Sequence, residues 1–240
     1  MPDISVTATI DETLDGYLAT PAGEGPWPGV VIVPEAFGLN DDIRRIADRF
    51  AAEGYLTFAP ALYSLRCVRR AMAEVVSARP GPISARIDAC RVWLAGRDDC
   101  TGRTGVIGLC LGGGFALLAA PRGDFDVASV NYGSVPKDAN AVLAGSCPIV
   151  ASYGVRDRPL RAHAARLRTA LDELQIPHDM KDYPDAGHSF LSQQKLPAPA
   201  LTVLHRLGFG NEPDAAADAW QRIFAFFDTH LRQAPKQPPA

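Results

Sequence analysis

Gly108-Leu109-Cys110-Leu111-Gly112 is the stretch that decides how this chain folds. The apolar pair Val106-Ile107 precedes it and Phe115-Ala116-Leu117-Leu118-Ala119-Ala120 follows it. That order predicts a strand, a sharp turn and a helix. Gly-x-nucleophile-x-Gly describes a turn that exposes a nucleophile at its tip, and here the tip residue is cysteine. Side chains two positions either side of the tip would collide with neighbouring elements, so those places call for glycine. Gly108 and Gly112 fill them. Gly113 and Gly114 extend the small-residue run, although glycine costs a helix roughly 0.5–1 kcal/mol against alanine. A glycine-rich helix start signals a steric or functional demand.

The same turn carries chemistry. Cys110 would lie at a helix N-terminus, where unpaired N–H groups favour negative charge and hence the reactive thiolate. The N–H of Leu111 would point at the oxygen of an attacked carbonyl, as half of an oxyanion hole. Cys67, Cys90, Cys100 and Cys147 lack such flanks and are expected to be inert, buried small hydrophobes.

Outward from the turn, strands alternate with helices. Val30-Val31-Ile32-Val33 is a β-branched run typical of a strand buried on both faces. Further strands are expected over 55–59, 104–109, 127–132, 149–153 and 178–183, and helices over 41–53, 84–94, 160–174 and 214–231. Asn40 is the expected cap of the first helix and Gly54 its stop. Loose alternation in the first thirty residues predicts two antiparallel strands at a sheet edge. Residues 61–82 mix Arg, Ser, Pro and Gly, with room for a short helix over the site. The fold class is therefore α/β, a mostly parallel central sheet with helices on both faces. Residues 1–233 are expected to form a single domain, and the Pro-rich tail 234–240 to fray.

Composition narrows the function classes. The chain of 240 residues is 47% hydrophobic and 21% charged, with a formal net charge of -3. No bulk basic surface calls for nucleic acid. No apolar run reaches the roughly 18 residues that span a bilayer, and 61–82 is too polar for a membrane-facing lid. The N-terminus lacks a signal-peptide pattern. Five cysteines without a Cys-x-x-Cys pair give neither a disulfide framework nor zinc spacing. A cytoplasmic location suits these features.

A thiolate nucleophile needs a base, and the base an orienting carboxylate. Reactive groups in such sheets gather at the carboxyl ends of the strands. Asp157 follows a strand in Tyr153-Gly154-Val155-Arg156-Asp157, and His188 follows the next in Asp185-Ala186-Gly187-His188-Ser189-Phe190. Asp182 and Asp185 are weaker candidates for this carboxylate because each lies at or beside the following strand. His163, His178, His205 and His230 are expected to be structural or solvated. Cys110, Asp157 and His188 stand in the order nucleophile, acid, histidine.

With Pro34-Glu35-Ala36-Phe37-Gly38, Gly154-Val155-Arg156-Asp157 and Gly187-His188-Ser189-Phe190 beside the Cys110 turn, the chain resembles the dienelactone hydrolase family. The likeness runs from about residue 4 to the terminal helix. It implies an α/β-hydrolase fold and hydrolysis of an ester or lactone without metal or cofactor. On this likeness Cys110 attacks the carbonyl, His188 relays the proton and Asp157 orients the ring. Leu111 and Ala36 would lend N–H groups to the oxyanion. Glu35 matches a glutamate that contacts the resting thiol and accepts its proton. A carboxylate there would disfavour the thiolate by like-charge repulsion. Family members hold a substrate carboxylate with a pair of arginines. Here 191–194 has none, Lys195 is the nearest cation, and Arg66 follows Leu62-Tyr63 about one position out of place. Phe37 and Tyr132 are expected to line the pocket.

The expectation is thus a hydrolase of carboxylic esters or lactones, with a Cys-His-Asp triad and a covalent thioacyl intermediate. The partner is a small ester or lactone, with neither nucleic acid nor membrane. Broad esterase and dienelactone hydrolase both stay open. The alternative is a non-catalytic or redox-sensing protein that uses Cys110.

Overall fold

The computed structural model describes residues 3–9, 12–63, 67–193 and 209–232. The predicted antiparallel pair is β1 (Asp3–Thr9) and β2 (Glu12–Ala19). Next come β3 (Trp27–Val33), α1 (Asp41–Ala52) and β4 (Leu56–Pro60). Helices α2 (Val68–Ser77) and α3 (Pro82–Ala95) lead to β5 (Cys100–Leu109) and α4 (Leu111–Ala119). The remainder is β6 (Val127–Asn131), α5 (Ala139–Leu143), β7 (Ile149–Gly154), α6 (Arg161–Glu173), β8 (His178–Tyr183) and α7 (Pro213–Leu231).

One eight-stranded sheet has the order β1-β2-β4-β3-β5-β6-β7-β8. β1, β2 and β4 pair antiparallel, and every pairing from β4 through β3 to β8 is parallel. Successive side chains of a strand face opposite ways, so the apolar run of β3 feeds two cores. Val31 and Val33 join the core under α2, α3, α4 and α6, whereas Val30 and Ile32 join the core under α1 and α7. Burial on both faces explains why this strand shows continuous rather than alternating hydrophobicity.

Asn40 caps α1 as expected, its Oδ1 accepting from the N–H groups of Asp42 and Ile43. Gly54 ends the turn after it at φ 84°. The polar stretch after Tyr63 does hold a helix, α2, which packs on α4 where Val75 meets Gly114. Glu74 of α2 reaches across to accept from the N–H groups of Ile83 and Ser84, and so caps α3. In α7, Trp220, Ile223 and Phe227 are buried; Phe224 is half-buried and stacks on Trp220. The short α5 escaped the periodicity argument because five residues are too few to show a helical period. The tail 234–240, Arg66, Lys195 and His205 lie outside the described residues.

The chain steps from β3 to β4 on one side, then returns to place β5 on the other. That reversal opens a crevice at the carboxyl ends of β3 and β5, the usual binding place in such sheets. Glu35 follows β3 and Cys110 follows β5.

Candidate active site

Cys110 occupies the junction of β5 and α4 with φ 55° and ψ -115°, outside the regions a side chain prefers. The Cys110 N–H donates to Asn131 O on β6 and holds the turn in register. Glycine is required at both flanks. A Cβ on Gly108 would sit 1.9 Å from Gly112 O, and one on Gly112 would sit 2.1 Å from Val33 O. The close approach of turn, helix and β3 is the steric demand behind the motif. The Leu111 N–H belongs to the first turn of α4 and so has no acceptor within the helix.

Asp157 and His188 lie at the carboxyl ends of β7 and β8, in the loops that follow. The Asp157 N–H donates to Gly154 O, and the carboxyl is buried at 5% exposure. His188 Nδ1 lies 2.6 Å from Asp157 Oδ2, and Nε2 lies 3.0 Å from Cys110 Sγ. Burial works against a charged imidazole here. The Asp157 hydrogen bond and the Cys110 sulfur outweigh it and raise the His188 pKa to about 10. At neutral pH the ring therefore keeps its proton beside the sulfur.

Glu35 stands in the turn after β3, where Gly38 donates to Glu35 O at φ 71°. Its carboxyl is 3% exposed. It accepts from Ser192 Oγ at 2.6 Å and from Tyr132 OH at 3.4 Å. Burial raises its pKa, offset in part by hydrogen bonds from Ser192 and Ser189 and by the charge of His188. Tyr132 is fully buried, with its ring edge-on to His188 at 5.2 Å and its hydroxyl turned to Glu35 and Ser192. It backs the His188 ring from the core side. Phe37, two residues after Glu35, is 62% exposed. Ala36 is a central residue of the same turn.

Tyr63, Ser189 and Ser192 are site residues that sequence reasoning passed over. The Tyr63 hydroxyl donates to Pro34 O beneath the Glu35 turn. Burial pushes its pKa well above the ordinary value, helped by the nearby Cys110 and Glu35. Ser189 directly follows His188, and that adjacency was the available signal. Nothing in the sequence tied Ser192 to Glu35, 157 positions away.

The other histidines with described positions have structural settings. His163 Nδ1 accepts from the Val135 N–H, His178 Nδ1 lies 2.8 Å from Ile176 O, and His230 packs on Phe226. Asp182 and Asp185 pair with Arg168 and Arg156. Cys90 and Cys100 are buried, and burial drives the Cys90 pKa up to about 12. Two cysteines depart from expectation: Cys67 is exposed at the N-cap of α2, and Cys147 is only partly buried. Among the described residues no group of His, Cys, Asp or Glu could hold a metal ion, and no helix is long and apolar enough to cross a membrane.

A sequence profile of the dienelactone hydrolase family matches residues 14–231. The chain belongs to that family. It is similar to the "putative carboxymethylenebutenolidase" of Azospirillum brasilense, at 30% identity over 96% of this chain and all of that protein. Among solved structures it resembles the dienelactone hydrolase of Anabaena variabilis, with a TM-score of 0.69 and 20% identity, covering 96% of this chain and 98% of that one. It also resembles a dienelactone hydrolase-like promiscuous phosphotriesterase from metagenomic libraries, with a TM-score of 0.80, 20% identity and the same coverage. These two structural likenesses establish the α/β-hydrolase fold, and the profile places the chain in a hydrolase family. As a dienelactone hydrolase family member, it carries cysteine at the tip of its β5–α4 turn.

Proposed function

We propose that the protein hydrolyses carboxylic esters or lactones through a thioacyl intermediate on Cys110. The observation that carries this reading is the line Asp157–His188–Cys110, with contacts of 2.6 and 3.0 Å, on a turn that holds the Cys110 backbone at φ 55°.

The charged His188 ring presents its Nε2 proton to the Cys110 thiolate. Sulfur attacks the substrate carbonyl carbon, and the C=O electrons move onto oxygen. The N–H groups of Leu111 and Ala36 receive that oxyanion. As the intermediate collapses, the C–O bond breaks and His188 gives its proton to the leaving oxygen. An alcohol departs, or in a lactone stays tethered, and Cys110 holds a thioester. Neutral His188 then deprotonates a water that attacks the thioester. Collapse expels the thiolate and releases the carboxylic acid. Throughout, Asp157 accepts from Nδ1–H, fixes the tautomer and stabilises the imidazolium without taking its proton. Glu35, when ionised, disfavours the resting thiolate. Five free cysteines suit a cytoplasmic setting.

The test uses p-nitrophenyl acetate. The expected results are turnover, an acetyl adduct on Cys110 by intact mass, and loss of both in Cys110→Ala. Turnover that survives in Cys110→Ala, with no adduct in the parent protein, would remove the reading.

A further inference from the structure

Phe209 is 42% exposed, and it differs from the other exposed large apolar side chains in that its ring lies against His188. It bridges His188 in parallel fashion, and the next residue, Gly210, donates its N–H to His188 O at 2.9 Å. Asn211 Nδ2 donates to Phe190 O at 2.9 Å. Glu212 donates its N–H to the same oxygen and accepts from Ala215 N–H at the start of α7. The 209–212 segment is thus a strap across the His188 loop, anchored on the terminal helix. The Phe209 ring meets the His188 ring at 5.4 Å, edge to face. A recess of about 130 Å³ opens against it, bordered also by Gly187 and the exposed Arg156–Asp185 pair.

A rigidly held aromatic ring with an open face costs solvation without adding to the core, and such surfaces commonly mark ligand sites. Its place selects which part of a ligand it would meet. In an ester hydrolysis the leaving oxygen must come within hydrogen-bond reach of His188 Nε2 to take its proton. Tyr132 packs on His188 from the buried side and Phe209 from the exposed side, so a leaving group that reaches Nε2 from solvent would meet Phe209.

We propose that Phe209 forms the leaving-group subsite and favours esters whose alcohol portion is apolar and ring-bearing. This rests on the ester-hydrolase reading above. Phe209 is a specificity-determining residue here; the proton still passes from His188 to the leaving oxygen.

The experiment compares benzyl acetate with methyl acetate, which share the acyl group and both release an alcohol. The ratio of their kcat/KM values cancels effects on the common chemistry. In Phe209→Ala the benzyl-to-methyl ratio should fall on the order of tenfold, the usual size of a lost apolar contact in a pocket. Phe209→Tyr should keep the ratio, and Phe209→Leu should lower it by a smaller factor. If Phe209→Ala does not fold by thermal melting, the Phe209→Leu ratio decides. An equal fall for both esters would make Phe209 only a support for His188 and overturn the proposal, as would an unchanged ratio. Saturation-transfer NMR with benzyl alcohol gives a readout without turnover. Benzyl alcohol should bind the parent protein and bind Phe209→Ala weakly. If neither ester is cleaved but this binding difference persists, only the hydrolase reading fails. If binding is the same in both proteins, the subsite is refuted.

Discussion

Asp157→Asn tests the site where its energetics are most concentrated. The carboxyl is 5% exposed and lies 2.6 Å from His188 Nδ1. A charge-assisted hydrogen bond of this kind contributes about 1.5–3 kcal/mol. Asparagine removes the charge and can donate its own N–H to Nδ1. The ring proton then sits on Nε2 in the neutral imidazole, where it blocks acceptance of a proton from thiol or water. For a triad carboxylate this exchange costs about 10⁴ in kcat, or about 5.5 kcal/mol of barrier. The same substitution also predicts a pH signature. Burial opposes the charged ring, and the Asp157 hydrogen bond leads the contributions that raise its pKa to about 10. A folded pKa above the unfolded one stabilises the fold fully below about pH 6.5, and that gain is lost as pH rises through about 10. The variant lacks much of this gain. Its stability deficit should therefore be widest near pH 6 and shrink toward about pH 10. The assays are kcat with p-nitrophenyl acetate and urea unfolding across that range. A kcat within about tenfold of the parent, or a deficit that does not change with pH, would refute the reasoning.

Gly112→Ala should abolish soluble folding or cost more than about 3 kcal/mol in urea unfolding, because its Cβ would lie 2.1 Å from Val33 O, a backbone atom that cannot swing aside. Glu35→Gln should make resting Cys110 alkylate faster with iodoacetamide. The gain should grow with pH, since the raised pKa of the buried carboxyl delays its ionisation; unchanged or slower alkylation would count against the like-charge account. Cys110→Ala should lower the His188 pKa, because the sulfur helps raise it, and an NMR titration of the ring measures the drop.

Local rules carried far along this chain. The β-branched run 30–33, the cap at Asn40 and the glycine-flanked Cys110 each describe a few neighbouring residues, and each local expectation matches the structure. Contacts between distant residues were not legible in the same way. Tyr132 looked like a pocket wall, yet its ring is turned into the core behind His188. Cys67 looked like a buried hydrophobe, yet it is exposed at the N-cap of α2. Ser192 was legible only as the absence of arginine, whereas the fold makes it a partner of Glu35.

Sequence alone determined the chemical parts and the sheet they sit on: a thiol on a forced bend, an imidazole and carboxylates, each after a strand of an α/β layer. Periodicity and glycine sterics act over a handful of residues, so they can be read in one dimension. Only the tertiary structure decided that sulfur and imidazole meet across 78 positions and imidazole and carboxylate across 31. That meeting depends on strand order, because the carboxyl ends of β5, β7 and β8 share one edge of the sheet only after parallel pairing aligns them.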